Sequence, residues 1–275
     1  RFDMNTNAIP QKSYGILDFA DNAISEIAQQ IKTVGYAVLD SGYSKAELQQ
    51  LAQAFEDTRK TYMATHGEAK LKELNEHNTI RSPLTHGGEV FLRLALNKNL
   101  LALLSELILG KFIINQQNCI INPPQETYNQ AAWHRDLPYQ HFVSSRPLAI
   151  NALFCVDDFT KENGATYVLP ASHRSEAFPS GDYIKKNAVQ IEAAAGSFIV
   201  LDCMLFHAGG YNTTNVQRRA INHVYNIPYF KQQINIPANF TNENVTDDER
   251  YILGFNSLEP SSISDYLSSR KGKKY

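Results

Sequence analysis

The hydrophobic period of this chain changes once, near Lys111, and that change restricts it to folds in which helices come first and strands follow. Upstream, Ala23, Ile24, Ile27 and Ile31 recur at helical spacing and the run ends at Gly35. Leu48, Leu51, Ala52 and Phe55 form a second stripe behind Ser44-Lys45-Ala46-Glu47, whose hydroxyl and carboxylate have the spacing of a capping box. Between these helices Tyr36-Ala37-Val38-Leu39 reads as a short strand, and a third helix is predicted from Leu100 to Leu109, closed by Gly110. Downstream, short β-rich runs are punctuated by Pro123-Pro124, Asn163-Gly164 and Gly209-Gly210. The predicted strands are Phe112–Asn122, Leu148–Val156, Ala165–Leu169, Ser197–Leu201 and Arg219–Ile227, with one more helical pattern near Asp247 to Leu253. Because strands and helices do not alternate, the helices should gather on one face of an antiparallel sheet. The expected class is α+β, mainly β: a jelly roll with N-terminal helices packed on one sheet. The reading divides one domain, 1–275, into a helical part (1–110), a strand-rich core (111–230) and a C-terminal extension (231–275), and a chain that is 43% hydrophobic can bury such a core.

Charge and cysteine usage remove several partner classes. Lys plus Arg number 26 against 28 Asp plus Glu, a balance that offers nothing to nucleic acid. The cluster Arg270, Lys271, Lys273 and Lys274 reads as a solvated tail. Cys119, Cys155 and Cys203 are odd in number and sit among apolar residues, so they read as small core residues of a reducing compartment. No run approaches the ~18 apolar residues of a membrane span, and no charged-then-apolar secretion pattern opens the chain. The expectation is a cytoplasmic protein, monomeric or homodimeric, that acts on a small molecule.

Trp133-His134-Arg135-Asp136 is the chemical centre of the sequence. On extended backbone, side chains two apart share a face, so His134 and Asp136 can grip one metal ion. A single His-x-Asp is in most chains a surface pair or a structural hydrogen bond. Here Leu205-Phe206-His207-Ala208-Gly209-Gly210 follows, and His207 from a distant strand would complete a two-histidine, one-carboxylate face with open positions opposite, which suits ferrous iron. Arg218 and its neighbour Arg219 face opposite sides of a strand; Arg218, followed on its face by Ala220, Asn222 and Val224, is the one assigned to the interior. Its planar fork of donors matches a carboxylate. Asn151 is polar within an apolar strand and needs a partner, either structural or a ligand oxygen, and Gln116 and Asn118 on one strand face pose the same choice. His66, His77 and His173 read as solvated or structural, while His86, His141 and His223 carry no spacing argument.

Together Trp133 to Tyr139, Glu162-Asn163-Gly164-Ala165, Leu169-Pro170-Ala171-Ser172-His173, Gly196-Ser197-Phe198, and His207-Ala208-Gly209-Gly210 with Arg218 resemble the phytanoyl-CoA dioxygenase family of Fe(II)/2-oxoglutarate oxygenases, from about Lys111 to Pro228. The resemblance implies a double-stranded β-helix (cupin-like) core, iron on His134, Asp136 and His207, and Arg218 on the distal carboxylate of 2-oxoglutarate; Asn151, Gln116 and Asn118 then become co-substrate candidates beside their structural alternative. It implies O2 as oxidant, with succinate and CO2 released, and an intact Asp136 points to hydroxylation over halogenation. Relatives place a hydroxyl residue two positions after the second histidine, where this chain has Gly209, so Thr213 or a water is expected to help Arg218. Candidate substrate contacts are Tyr139, His141, Phe142 and Arg146 beyond the metal motif, with Arg81, His86 and Arg93 from the first half. Two other readings stay open: a cupin-type metalloenzyme that does not use 2-oxoglutarate, and a non-catalytic ligand-binding jelly roll.

Overall fold

A computed structural model describes residues 22–270 apart from positions 138 and 243, so Lys271, Lys273 and Lys274 of the basic tail lie outside the described residues. Its strands are β1 (Tyr36–Asp40), β2 (Thr79–Arg81), β3 (Ile113–Asn122), β4 (Ala149–Cys155), β5 (Tyr167–Val168), β6 (Val189–Gln190), β7 (Ser197–Asp202), β8 (His207–Ala208) and β9 (Arg218–Asn226). They form a six-stranded sheet in the order β1-β7-β4-β9-β3-β2 and a three-stranded sheet β6-β5-β8, antiparallel throughout. This is the mixed, jelly-roll architecture expected from the order of periods.

Alternation along the strands assigns each sheet face its task. Ile150, Ala152, Phe154, Phe198, Val200, Ile221 and Tyr225 point to one side, where they pack with Ala28, Ile31, Phe55, Phe91, Leu100 and Leu104 of the helices. Each fully buried Val, Leu, Ile or Phe among them contributes about 1.5–3 kcal/mol of transfer free energy. Cys155, Ile199, Leu201 and Ala220 point to the other side, against Phe159, Val168 and Leu205 of the smaller sheet. The helices therefore cover one face of the large sheet, and its opposite face is left to build the inter-sheet cavity.

The local start and stop signals act as their chemistry requires. Helix Ala23–Val34 begins where the Asn22 side chain accepts from Ser25 N, and ends at Gly35, whose φ of 94° lets its amide reach the Ile31 carbonyl. Helix Lys45–His66 carries the Ser44/Glu47 capping box. A second box with the same spacing, Thr246/Glu249, starts helix Asp247–Ile252.

Several boundaries differ from expectation. The helix Lys98–Leu107 ends before Gly110, because Ile108 is buried and extended (φ −102°, ψ 106°), and Gly110 at φ 88° turns the chain toward β3. The strand predicted at Ala165–Leu169 contracts to Tyr167–Val168, and β2, β6 and β8 are too short to leave a periodic signal. The His134–Asp136 segment is not a regular strand. One bridge, His134 to His207, ties it to β8, and the chain then bends at Asp136. The three cysteines are buried. No described helix is long and apolar enough to cross a membrane.

Candidate metal and co-substrate site

Reciprocal backbone bonds, His134 N to His207 O (2.9 Å) and His207 N to His134 O (3.0 Å), place the two imidazoles side by side with ring centroids 4.4 Å apart. Asp136 N donates to Cys203 O (2.9 Å) as the chain bends, and its carboxylate enters the same space. One ligand atom from each of His134, Asp136 and His207 lies within 4.8 Å of the other two. Asp136 Oδ1 stands 3.8 Å from His134 Nε2 and 3.6 Å from His207 Nε2, too long for hydrogen bonds and suited to sharing a cation.

The other ring nitrogens fix the tautomers. His134 Nδ1 faces the Ala132 carbonyl at 2.7 Å and His207 Nδ1 faces the Leu205 carbonyl at 2.9 Å, so each Nδ1 carries a proton and each Nε2 is the nitrogen left to face a cation. Burial lowers the His207 pKa against the opposing pull of Asp136, which keeps that imidazole neutral near physiological pH. Asn151 Nδ2 donates to Asp136 Oδ2 (2.8 Å), which orients the carboxylate and leaves Oδ1 toward the histidines. The Asn151 amide thus belongs to the metal-facing carboxylate, a structural partner of the kind left open by the sequence.

Arg218 lines the same cleft as the three ligands, and its fork is anchored from behind. Its Nη2 donates to the Gly164 carbonyl (2.8 Å) and its guanidinium lies 3.9 Å over the Phe159 ring. Gly164 explains the Asn163-Gly164 motif: Asn163 Oδ1 accepts from Thr160 N, and Gly164 then turns at φ 79° with its own carbonyl toward Arg218. Arg219, on the other face, is held by Asp157 and Glu56. Arg218 is only 2% exposed and has no carboxylate partner among the described residues. Its Nε is unpaired, as are Oδ1 of Asn151 and Oδ1 of Asn222, which line the cleft with it. A buried cation and unpaired polar atoms converging on one cavity are costly unless a polar, anionic ligand completes them. The donor set fits ferrous iron, and the cleft beside it fits a dicarboxylate.

The remaining predicted residues divide. Gln116 and Asn118 do share the site-facing side of β3, opposite Val224 and Asn222 in register. They nevertheless line a separate cleft, where Asn118 lies against Gln233 (3.0 Å). Thr213 is exposed and bound to the Glu162 carbonyl (2.9 Å), not to Arg218. Arg81 is paired with Glu76, Arg93 with Glu89 and Glu249, and the exposed His86 contacts the Arg81 carbonyl, so none of these three reaches the cleft. Arg146 lines a different cavity with Lys32 and Arg174. His173 is buried and structural, and His223 is buried between the Ala152 carbonyl and Gln117. Tyr139, His141 and Phe142 do not line the cleft either. Tyr139 stacks on Phe142, His141 meets Phe178, and Phe178 and Trp133 both meet Phe206; Trp133 and Phe206, chain neighbours of His134 and His207, face the other side of the small sheet, where Trp133 meets Tyr167 and Arg135 lies over the Phe178 ring.

Arg135 was passed over in the sequence, though it separates two ligands. It points away from the metal and is buried, donating Nη1 to the carbonyls of Gln140 (2.5 Å) and Glu176 (3.1 Å) and Nη2 to those of Ser172 (3.2 Å) and Ser175 (2.5 Å). It ties together the two loops that carry His141 and Phe178. Tyr128, Gln130 and Thr166 also line the cleft without having been expected there.

Comparison with known proteins agrees with this geometry. A model of the family described as phytanoyl-CoA dioxygenase (PhyH) matches residues 31–220. The uncharacterized protein Rv1501 of Mycobacterium tuberculosis is 27% identical over 263 residues, covering 93% of this chain and 95% of its own length. Dioxygenase af480 of Aspergillus fumigatus is 34% identical over 100 residues, 34% of this chain and 31% of its own. Among solved structures, EctD from S. alaskensis, crystallised with 2-oxoglutarate and 5-hydroxyectoine, superposes with a TM-score of 0.63 at 23% identity, covering 78% of this chain and 79% of its own. That likeness is one of fold. The chain belongs to the phytanoyl-CoA dioxygenase family and is a non-haem iron dioxygenase that depends on 2-oxoglutarate.

Proposed function

We propose that His134, Asp136 and His207 hold the ferrous ion, that Arg218 holds the distal carboxylate of 2-oxoglutarate, and that the enzyme hydroxylates a C–H bond of a small molecule. The observation that carries this reading is the convergence of three ligand atoms within 4.8 Å in a cleft that also contains a buried, acid-free guanidinium. When bound, iron and 2-oxoglutarate supply the oxidising chemistry, with O2 consumed and succinate and CO2 released. This chain's residues supply placement. Nδ1 bonds hold both imidazoles in the ligating tautomer, and Asn151 aims one oxygen of Asp136. Arg218 gives the co-substrate one orientation, and apolar Leu153, Leu201 and Ile120 keep the cleft poor in water.

Arg81 and Arg93, which would favour an anionic substrate, are held by acids elsewhere. We read the chain as one cytoplasmic domain acting as a monomer or homodimer. A panel of small metabolites, scored by succinate release and by incorporation of one atom from labelled dioxygen into the product, tests the proposal. Succinate coupled to an oxygenated product is the expected outcome. Turnover of a panel member without 2-oxoglutarate consumption would overturn it.

A further inference from the structure

Gly209 is glycine for space, not for conformation. Its φ is not in the left-handed region, yet a Cβ placed on it would lie 2.0 Å from the Tyr128 hydroxyl oxygen and 2.8 Å from the ring carbon that bears it. The loop that carries Tyr128 is pinned there by Gly209 N, which donates to the Gln130 carbonyl (2.8 Å). The phenol therefore enters the cleft at the position that a side chain of residue 209 would otherwise take. Tyr128, Gly209 and Arg218 line this one cavity, and the Tyr128 hydroxyl has no hydrogen-bond partner among the described residues. Thr213, the hydroxyl expected to assist Arg218, is turned away to the Glu162 carbonyl.

We infer that Tyr128 donates its hydroxyl hydrogen to the distal carboxylate of 2-oxoglutarate, making it the second positioning residue for that group alongside Arg218. The inference rests on the reading that Arg218 binds this carboxylate. A phenol and a side chain at 209 exclude one another at 2.0 Å, so the co-substrate's second donor can come from either place but not from both. In this chain it comes from the loop that precedes the first metal ligand. Co-substrate binding would thereby also tie down the segment that leads into His134.

The test compares two 2-oxo acids on Fe(II)-loaded protein under argon, by calorimetry: 2-oxoglutarate, and pyruvate, which has no distal carboxylate. Tyr128→Phe keeps the ring and its packing, and is expected to weaken 2-oxoglutarate by about tenfold, the loss of one hydrogen bond to a charged group, while leaving pyruvate unchanged. Gly209→Ser alone is expected to lower both thermal stability and 2-oxoglutarate affinity, because the phenol must leave. In Tyr128→Ala/Gly209→Ser the serine supplies the missing donor and affinity recovers toward wild type. Arg218→Ala serves as control: if wild type binds 2-oxoglutarate and this variant binds it equally well, the Arg218 reading fails first. If Arg218→Ala weakens binding but Tyr128→Phe does not, or if Tyr128→Phe weakens both oxo acids alike, the role assigned to Tyr128 is wrong. Loss on Thr166→Val with none on Tyr128→Phe would move that role to Thr166, the other hydroxyl in the cleft.

Discussion

Replacing Arg135 by Met removes a cation but keeps most of the side-chain volume, so the change isolates the guanidinium's bonds to four carbonyls. Those carbonyls, of Gln140, Ser172, Ser175 and Glu176, belong to the two loops beside the metal ligands, and Arg135 is 2% exposed. Hydrogen bonds to a charged donor contribute about 1.5–3 kcal/mol each. The four do not sum, because loops released from Arg135 can turn some carbonyls to water. Ser172, however, stays pinned by Phe206 N, which donates to its hydroxyl at 2.8 Å, so its carbonyl keeps only the 3.3 Å bond from Ser175 N once the guanidinium is gone. The net loss is about 3 kcal/mol, the upper end for one hydrogen bond to a charged donor. In a chain of this length that is roughly a 10 °C fall in Tm. Differential scanning calorimetry reads it directly. Arg135→Lys should recover only part, since an ammonium has three donors and no planar fork. A Tm for Arg135→Met within about 2 °C of wild type, less than the effect of 1 kcal/mol, would refute the reasoning that Arg135 ties these two loops together.

Three further outcomes follow from the same structure. Asn151→Ala frees the Asp136 carboxylate to rotate and should weaken metal binding about 10- to 100-fold in a chelator competition; a change below about twofold, under 0.5 kcal/mol, would show that Asn151 does not orient it. Gly164→Ala places a Cβ 2.4 Å from the Gly210 carbonyl at a φ of 79°, and should cost about 2–4 kcal/mol in denaturant unfolding while weakening 2-oxoglutarate, because the carbonyl behind Arg218 must move; unchanged unfolding would contradict this. Burial pushes the His223 imidazole down from 6.5 to about 4 and the Asp202 carboxyl up from 3.8 to about 6. As pH falls from 6.5 to 4 the unfolded chain protonates His223 first, and about 3 kcal/mol of stability is lost. From pH 6 to 3.8 the folded chain protonates Asp202 first, and a similar amount is gained. The two nearly offset, so Asp202→Asn should lose roughly 6–12 °C more in Tm than wild type over that interval, and parallel curves would contradict the offset.

The parts of this molecule that were legible in its sequence are those set by neighbours in the chain. The Ser44 capping box, the Gly35 stop, the shared direction of His134 and Asp136 and the opposed directions of Arg218 and Arg219 all depend on residues a few positions apart. What escaped depends on distant backbone. Arg135 looks like a polar spacer until the Ser172–Glu176 loop closes on it, and Tyr128 has no motif around it until Gly209 leaves it room. Arg81 and Arg93 were candidates for the cleft only because a sequence does not reveal the acids that hold them, Glu76 five residues away and Glu249 on a late helix. Thr213 failed for a related reason: spacing from His207 places it in the correct loop, but its hydroxyl satisfies the Glu162 carbonyl.

The most direct measurement of the central claim is an anaerobic titration of the protein with Fe(II) and then 2-oxoglutarate, followed by the visible charge-transfer absorption of the ternary complex. Wild type should bind one ferrous ion and develop the band. His207→Ala should abolish it, while Arg218→Ala should retain iron and require at least about tenfold more 2-oxoglutarate, the loss of a charged pair. A wild type that develops no band, or a band indifferent to both substitutions, would contradict the placement of iron and co-substrate in this cleft.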